Sequence, residues 1–97
     1  MKKIKTSKSY AADKRKLLAR LRRMEGQVRG LAKMVEEDRY CMDILQQIAS
    51  LRAAADAVAR TLLRDHIQGC LLDAAGTESE AEKVDEVVEL VRRYSRS

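Results

Sequence analysis

The sequence predicts an all-α protein, and three observations carry that reading. The 97 residues contain no proline, only 3% of them are aromatic with neither Phe nor Trp, and apolar side chains recur at alternating four- and three-residue steps in successive stretches. Long helices packed by Leu, Ile, Val and Ala fit this composition, whereas a β-sandwich does not. A domain of this length buries a limited fraction of its surface, so association with further copies is expected.

Residues 1 to 10 are polar and basic without hydrophobic periodicity and are expected to form a mobile arm, leaving residues 11 to 97 as a single helical domain. From residue 11, Leu17, Leu21, Met24, Val28, Leu31 and Val35 fall along one stripe of a first helix, with Arg15, Arg22, Arg23, Arg29 and Lys33 largely elsewhere. Gly26 and Gly30 each cost about 1 kcal/mol of helix propensity relative to Ala, which close packing would explain. The acidic run Glu36, Glu37 and Asp38 separates this helix from the next and can serve as the latter's N-terminal charge cap. A second stripe at Ile44, Ile48, Leu51, Ala55, Val58 and Leu62 predicts one long helix from about residue 41 to 69. Gly76 marks a break, and Thr77 with Glu80 forms a T-x-x-E capping box opening a third helix through Ala81, Val84, Val88, Val91 and Tyr94.

Charge is unevenly distributed. Residues 1 to 35 hold twelve Lys and Arg against Asp13 and Glu25, a balance of +10, while the remaining 62 residues carry −5. A concentrated basic segment gains affinity for nucleic acid by releasing counterions condensed on phosphates. Two cysteines are too few for a secreted disulfide framework, and neither an apolar signal segment nor a membrane-length run is visible. The expectation is a cytoplasmic protein with free thiols and no membrane partner.

His66 and Cys70 stand four residues apart on the second helix, so they share a face suited to one metal ion. That pair alone is more often structural. Cys41 supplies a third soft donor, yet it lies 25 residues before His66, about 37 Å away along a straight helix. The three can meet only between protomers whose second helices pack antiparallel, which places two equivalent sites about a two-fold axis. Ala53, Ala54 and Ala55 at the crossing would let the backbones approach. Two thiolates and an imidazole favour Cu(I) over hard cations, with Zn(II) the alternative if a fourth ligand completes a tetrahedron. The bland reading makes both cysteines small buried hydrophobes.

The stretch RLRRMEGQVRGLAKMVEEDRYCMDILQQI, followed by HIQGC at residues 66 to 70, resembles the copper-sensitive operon repressor family (CsoR/RcnR) from about residue 14 to 93. The resemblance implies three-helix protomers pairing into a four-helix-bundle homodimer, two dimers forming a homotetramer. It further implies that GC-rich operator DNA is bound by the apoprotein and released when inducer binds. Family members also sense nickel or cobalt, persulfides and formaldehyde. Nickel and cobalt sensors in this family use several His ligands, persulfide sensors lack the His at the position of His66, and formaldehyde sensors use an N-terminal Pro. This chain has one His and no Pro, and Cys41, His66 and Cys70 match the copper pattern, with Cu(I) as the implied cofactor.

Tyr40 and Glu86 match the residues that accept or relay a hydrogen bond from the nitrogen of His66 not used for the metal. As in the family, no helix-turn-helix is evident, so double-stranded DNA would be met by surface charge. The candidates are Arg15, Arg20, Arg22, Arg23 and Arg29 on the first helix and Arg52 and Arg60 on the second. A copper-buffering helical bundle is the competing function, as is a repressor of this family with another inducer. The basic N-terminal third favours the repressor over the buffer. No catalytic grouping or small-molecule substrate site is visible, and an enzyme is not expected.

Overall fold

The computed structural model describes residues 8–94, apart from the side chain of Cys70, and among these residues every regular element is helical. A short 3-10 turn, Ala11–Asp13, leads into α1 (Lys14–Glu36), α2 (Cys41–Ala74) and α3 (Glu80–Tyr94). The expected mobile arm falls mostly on residues 1–7, which lie outside the described residues. The chain divides into two compact units, Lys14–Ala59 and Arg60–Ser97 with Met1–Asp13. No helix among the described residues is long and apolar enough to cross a membrane.

In the unit Lys14–Ala59, α1 forms over the predicted stripe and stops at a Schellman motif. Arg39 N donates to Met34 O at 2.9 Å and Asp38 N to Val35 O at 3.1 Å, with Asp38 at φ 54° in the left-handed position usually given to glycine. The acidic run therefore occupies the C-terminal end of α1, and the expectation that it caps α2 is corrected. The α2 N-cap is Tyr40, whose carbonyl accepts from Asp43 N at 3.0 Å and Ile44 N at 3.3 Å, and Asp43 is the acid in the first turn. Among the described residues nothing lies within 4 Å of a Cβ built on Gly26 or Gly30, so packing among them does not account for these glycines.

Leu17 and Val58 are the buried apolar residues of this unit, whereas Leu21, Val28, Val35, Leu45 and Ile48 are exposed. The stripes are on the helices but largely uncovered. Leaving a half-buried Leu or Val in water forgoes about 1 kcal/mol each, and a further surface laid on them would recover it.

In the other unit α2 runs through Gly69 to Ala74, beyond the predicted end near residue 69. Glycine weakens a helix interior without ending it, and here its small size has a use: a Cβ on Gly69 would lie 3.0 Å from Ser9 Cβ and 3.6 Å from Ser9 Cα. Asp13, closing the N-terminal turn, accepts a hydrogen bond from Arg64 at 3.2 Å. The break comes at Gly76, with φ 76°, in a turn where Thr77 N donates to Ala74 O at 3.0 Å.

The proposed capping box at Thr77 and Glu80 is corrected too. Thr77 Oγ1 donates to Ala74 O at 2.6 Å, so its hydroxyl satisfies the end of α2. Ser79 is the N-cap of α3, its carbonyl accepting from Lys83 N at 2.9 Å. Ala74 is buried, while Val84, Val88, Val91 and Tyr94 on α3 remain exposed.

Candidate metal centre

Helical spacing brings His66 on α2 against Glu86 on α3, twenty residues on. His66 Nε2 lies 3.3 Å from Glu86 Oε1, and Glu86 Oε2 lies 3.3 Å from Lys83 Nζ. Both side chains are partly exposed, 33% for His66 and 45% for Glu86. The Lys83 ammonium, and after it His66, holds the Glu86 carboxyl below the usual glutamate range. An ionised carboxylate can only accept hydrogen bonds, so a hydrogen bond in this pair has Nε2–H as its donor.

Beside His66, Asp65 is buried and its carboxyl pKa is raised, first by a hydrogen bond with Asp13 and then by burial. Arg64 acts the other way, with its guanidinium 3.5 Å from Asp65 Oδ1 and 3.2 Å from Asp13 Oδ2. The N-terminal turn is thus tied to α2 immediately before the candidate ligand.

Cys70 follows His66 by one helical turn on α2, and Cys41 is the first residue of the same unbroken helix, with an exposed free thiol. Cys41 thus belongs to the unit Lys14–Ala59 and His66 to the unit that begins at Arg60. Among the described residues no three His, Cys, Asp or Glu side chains converge to hold an ion. The residue types nevertheless fit a soft metal: an accessible thiol at the start of α2, and an imidazole one turn before a second cysteine towards its other end. Tyr40, the residue before Cys41, is 69% exposed.

The seven arginines proposed for DNA are all exposed. Arg15, Arg22 and Arg29 repeat every seven residues on α1, almost opposite the apolar stripe, whereas Arg20 and Arg23 project from its flanks. Arg29 is partly neutralised by Glu25, 3.4 Å away in an exposed i, i+4 pair. Sequence reasoning missed Lys83 and the Asp13, Arg64 and Asp65 cluster. The i, i+3 spacing of Lys83 and Glu86 was a signal for the first, and nothing local pointed to the second.

Residues 13–93 match the model of a family described as metal-sensitive transcriptional repressor. The copper-sensing transcriptional repressor CsoR of Bacillus subtilis is 41% identical over 85 residues, 88% of this chain and 84% of that protein. The copper-sensing repressor RicR of Mycobacterium tuberculosis is 48% identical over 65 residues, covering 67% of this chain and 68% of its own length. Among solved structures, CsoR with Cu(I) from Geobacillus thermodenitrificans superposes with a TM-score of 0.77 at 34% identity, over 98% of this chain and 95% of that one. The nickel-responsive regulator InrS superposes at 0.73 with 40% identity, over 82% and 90% of the two chains. A match across nearly all of the helical region, shared in sequence and in fold, places the chain in the metal-sensitive transcriptional repressor family.

Proposed function

We propose that the protein is a copper(I)-responsive repressor that holds operator DNA as the apoprotein and leaves it on binding Cu(I), derepressing copper-resistance genes. The observation that carries this reading is the His66 and Glu86 pair. It frees Nδ1 for metal at one end of a helix whose cysteines, Cys41 and Cys70, supply the two soft donors Cu(I) prefers. Cys41 comes from one protomer and His66 with Cys70 from its neighbour, their second helices antiparallel in a homodimer, and two dimers form a homotetramer. The uncovered apolar stripes of the three helices support association. Tyr40 joins Glu86 around His66, and Arg15, Arg20, Arg22, Arg23, Arg29, Arg52 and Arg60 face the duplex. Residues 11–97 act as one functional domain in the cytoplasm, with residues 1–10 as a basic arm, and no catalysis is involved.

The nickel-responsive neighbour gives a second inducer a specific claim. One experiment separates them: titrate a labelled operator duplex with apoprotein, then add Cu(I), Ni(II) or Zn(II) under reducing, anaerobic conditions. Cu(I) alone should release the parent, while Cys41→Ala stays bound at every copper level. Release by Ni(II) but not Cu(I) would overturn the copper reading, and copper binding without any operator binding would return the buffer.

A further inference from the structure

The two oxygens of Glu86 have different partners. Oε1 faces His66 Nε2 and Oε2 faces Lys83 Nζ, each at 3.3 Å. Lys83 and Glu86 are i, i+3 on α3, so both side chains lie on one face, and that face meets α2 at His66. A glutamate has three rotatable side-chain bonds, and this one is only half buried. Held by His66 alone, its carboxylate could turn, or swing into solvent where water satisfies it equally well. Held at the second oxygen as well, it is fixed about its last bond with the first directed at the imidazole.

We propose that Lys83 is a positioning residue for His66. By holding Glu86 Oε2 it turns Oε1 toward Nε2, keeps the ring proton there, and so decides which nitrogen is presented to the metal. The inference deepens the proposed copper site and rests on His66 being a ligand in it. An ordinary helix-stabilising pair would be content with either carboxylate oxygen in any rotamer. The division of the oxygens between Lys83 and His66, on two helices, sets this pair apart. Met or Gln at position 83 keeps the aliphatic stem and removes the charge, while Arg keeps the charge and donors.

The test uses the full apoprotein at a pH where the imidazole is neutral, with nitrogen-resolved NMR reading the His66 tautomer directly. In the parent the Nε2–H form should dominate. In Lys83→Met the tautomer ratio should relax by about two-fold toward that of a free imidazole, the effect expected of an exposed pair at this spacing. Lys83→Arg should restore it. Circular dichroism controls for helix content, and Lys83→Gln replaces the Met variant if that fails to fold. A tautomer ratio unchanged in Lys83→Met, or shifted equally in Lys83→Arg, would overturn the proposal. Because no copper is present, the outcome stands apart from whether Cu(I) is the inducer: a failed copper titration with a shifted tautomer would refute the site and leave the brace.

Discussion

Replacing Glu86 with Ala tests whether the contact between α2 and α3 carries the metal signal. The substitution removes the acceptor 3.3 Å from His66 Nε2 and leaves Cys41, His66 and Cys70 in place. A hydrogen bond to a charged group contributes about 1.5–3 kcal/mol when well sheltered. Here the bond is long and its partners are 33% and 45% exposed, so solvent screening reduces the figure to about 1 kcal/mol. That corresponds to roughly five-fold in an equilibrium constant. If the bond strengthens when Nδ1 is engaged, the copper-dependent loss of operator affinity should shrink by about that factor. Typical coupling between two sites is about 1–3 kcal/mol, so some response should remain. The assay is fluorescence anisotropy of a labelled operator at fixed salt, with and without saturating Cu(I), beside a chelator competition showing that Cu(I) affinity is retained. If copper weakens operator binding by Glu86→Ala as much as by the parent, Glu86 is a bystander and the route from ligand to α3 is wrong.

Three further outcomes follow from the same geometry. Asp38→Gly relieves a left-handed backbone at a non-glycine residue, offset partly by a more flexible unfolded chain, and should stabilise by about 0.5–1 kcal/mol in urea unfolding at constant protein concentration. Replacing Arg15, Arg22 and Arg29 together by Ala should weaken apoprotein binding to DNA and flatten its dependence on salt while sparing Cu(I) binding; an unchanged slope would remove that stripe from the interface. Asp65 has a raised pKa, so the folded chain binds its proton more tightly than the unfolded chain does. The stability this contributes is present at low pH and lost as pH rises through the folded value. Asp65→Asn should accordingly gain on the parent as pH climbs from about 4 to 7, and an advantage constant over that range would refute the assignment.

What the sequence made legible was local. The stripes on α1 and α2 follow from helical periodicity, and the break at Gly76 from a turn that needs positive φ. The errors arose where a distant residue decides. Gly69 reads as a stop until Ser9 is seen against it, since nothing near residue 69 announces a neighbour from the N-terminal turn. Thr77 has the composition of an N-cap, but a hydroxyl that can donate serves a helix C-terminus as readily, and Ala74 O is the nearer acceptor. Asp38 defeated expectation because an acidic residue between two helices can belong to either, and here backbone geometry assigns it to α1.

The fold alone does not choose the inducer. A copper-sensing repressor and a nickel-responsive regulator both share this architecture, so three helices of this length and order do not choose a metal. The donors do. Nickel is well served by imidazoles, whereas His66 is the single histidine of the chain, and its Nε2 is already engaged by Glu86. On the proposed reading, what remains is one nitrogen and two thiols, a low-coordinate and polarisable set with too few donors for a metal that seeks more. Glu86 on α3 lies against that histidine with Lys83 on its other oxygen, so on this reading the response to a given ion would be set by a few side chains on one turn of α2 and one turn of α3. On the same reading, the exposed apolar stripes offer the surface on which a second copy would supply the remaining donor.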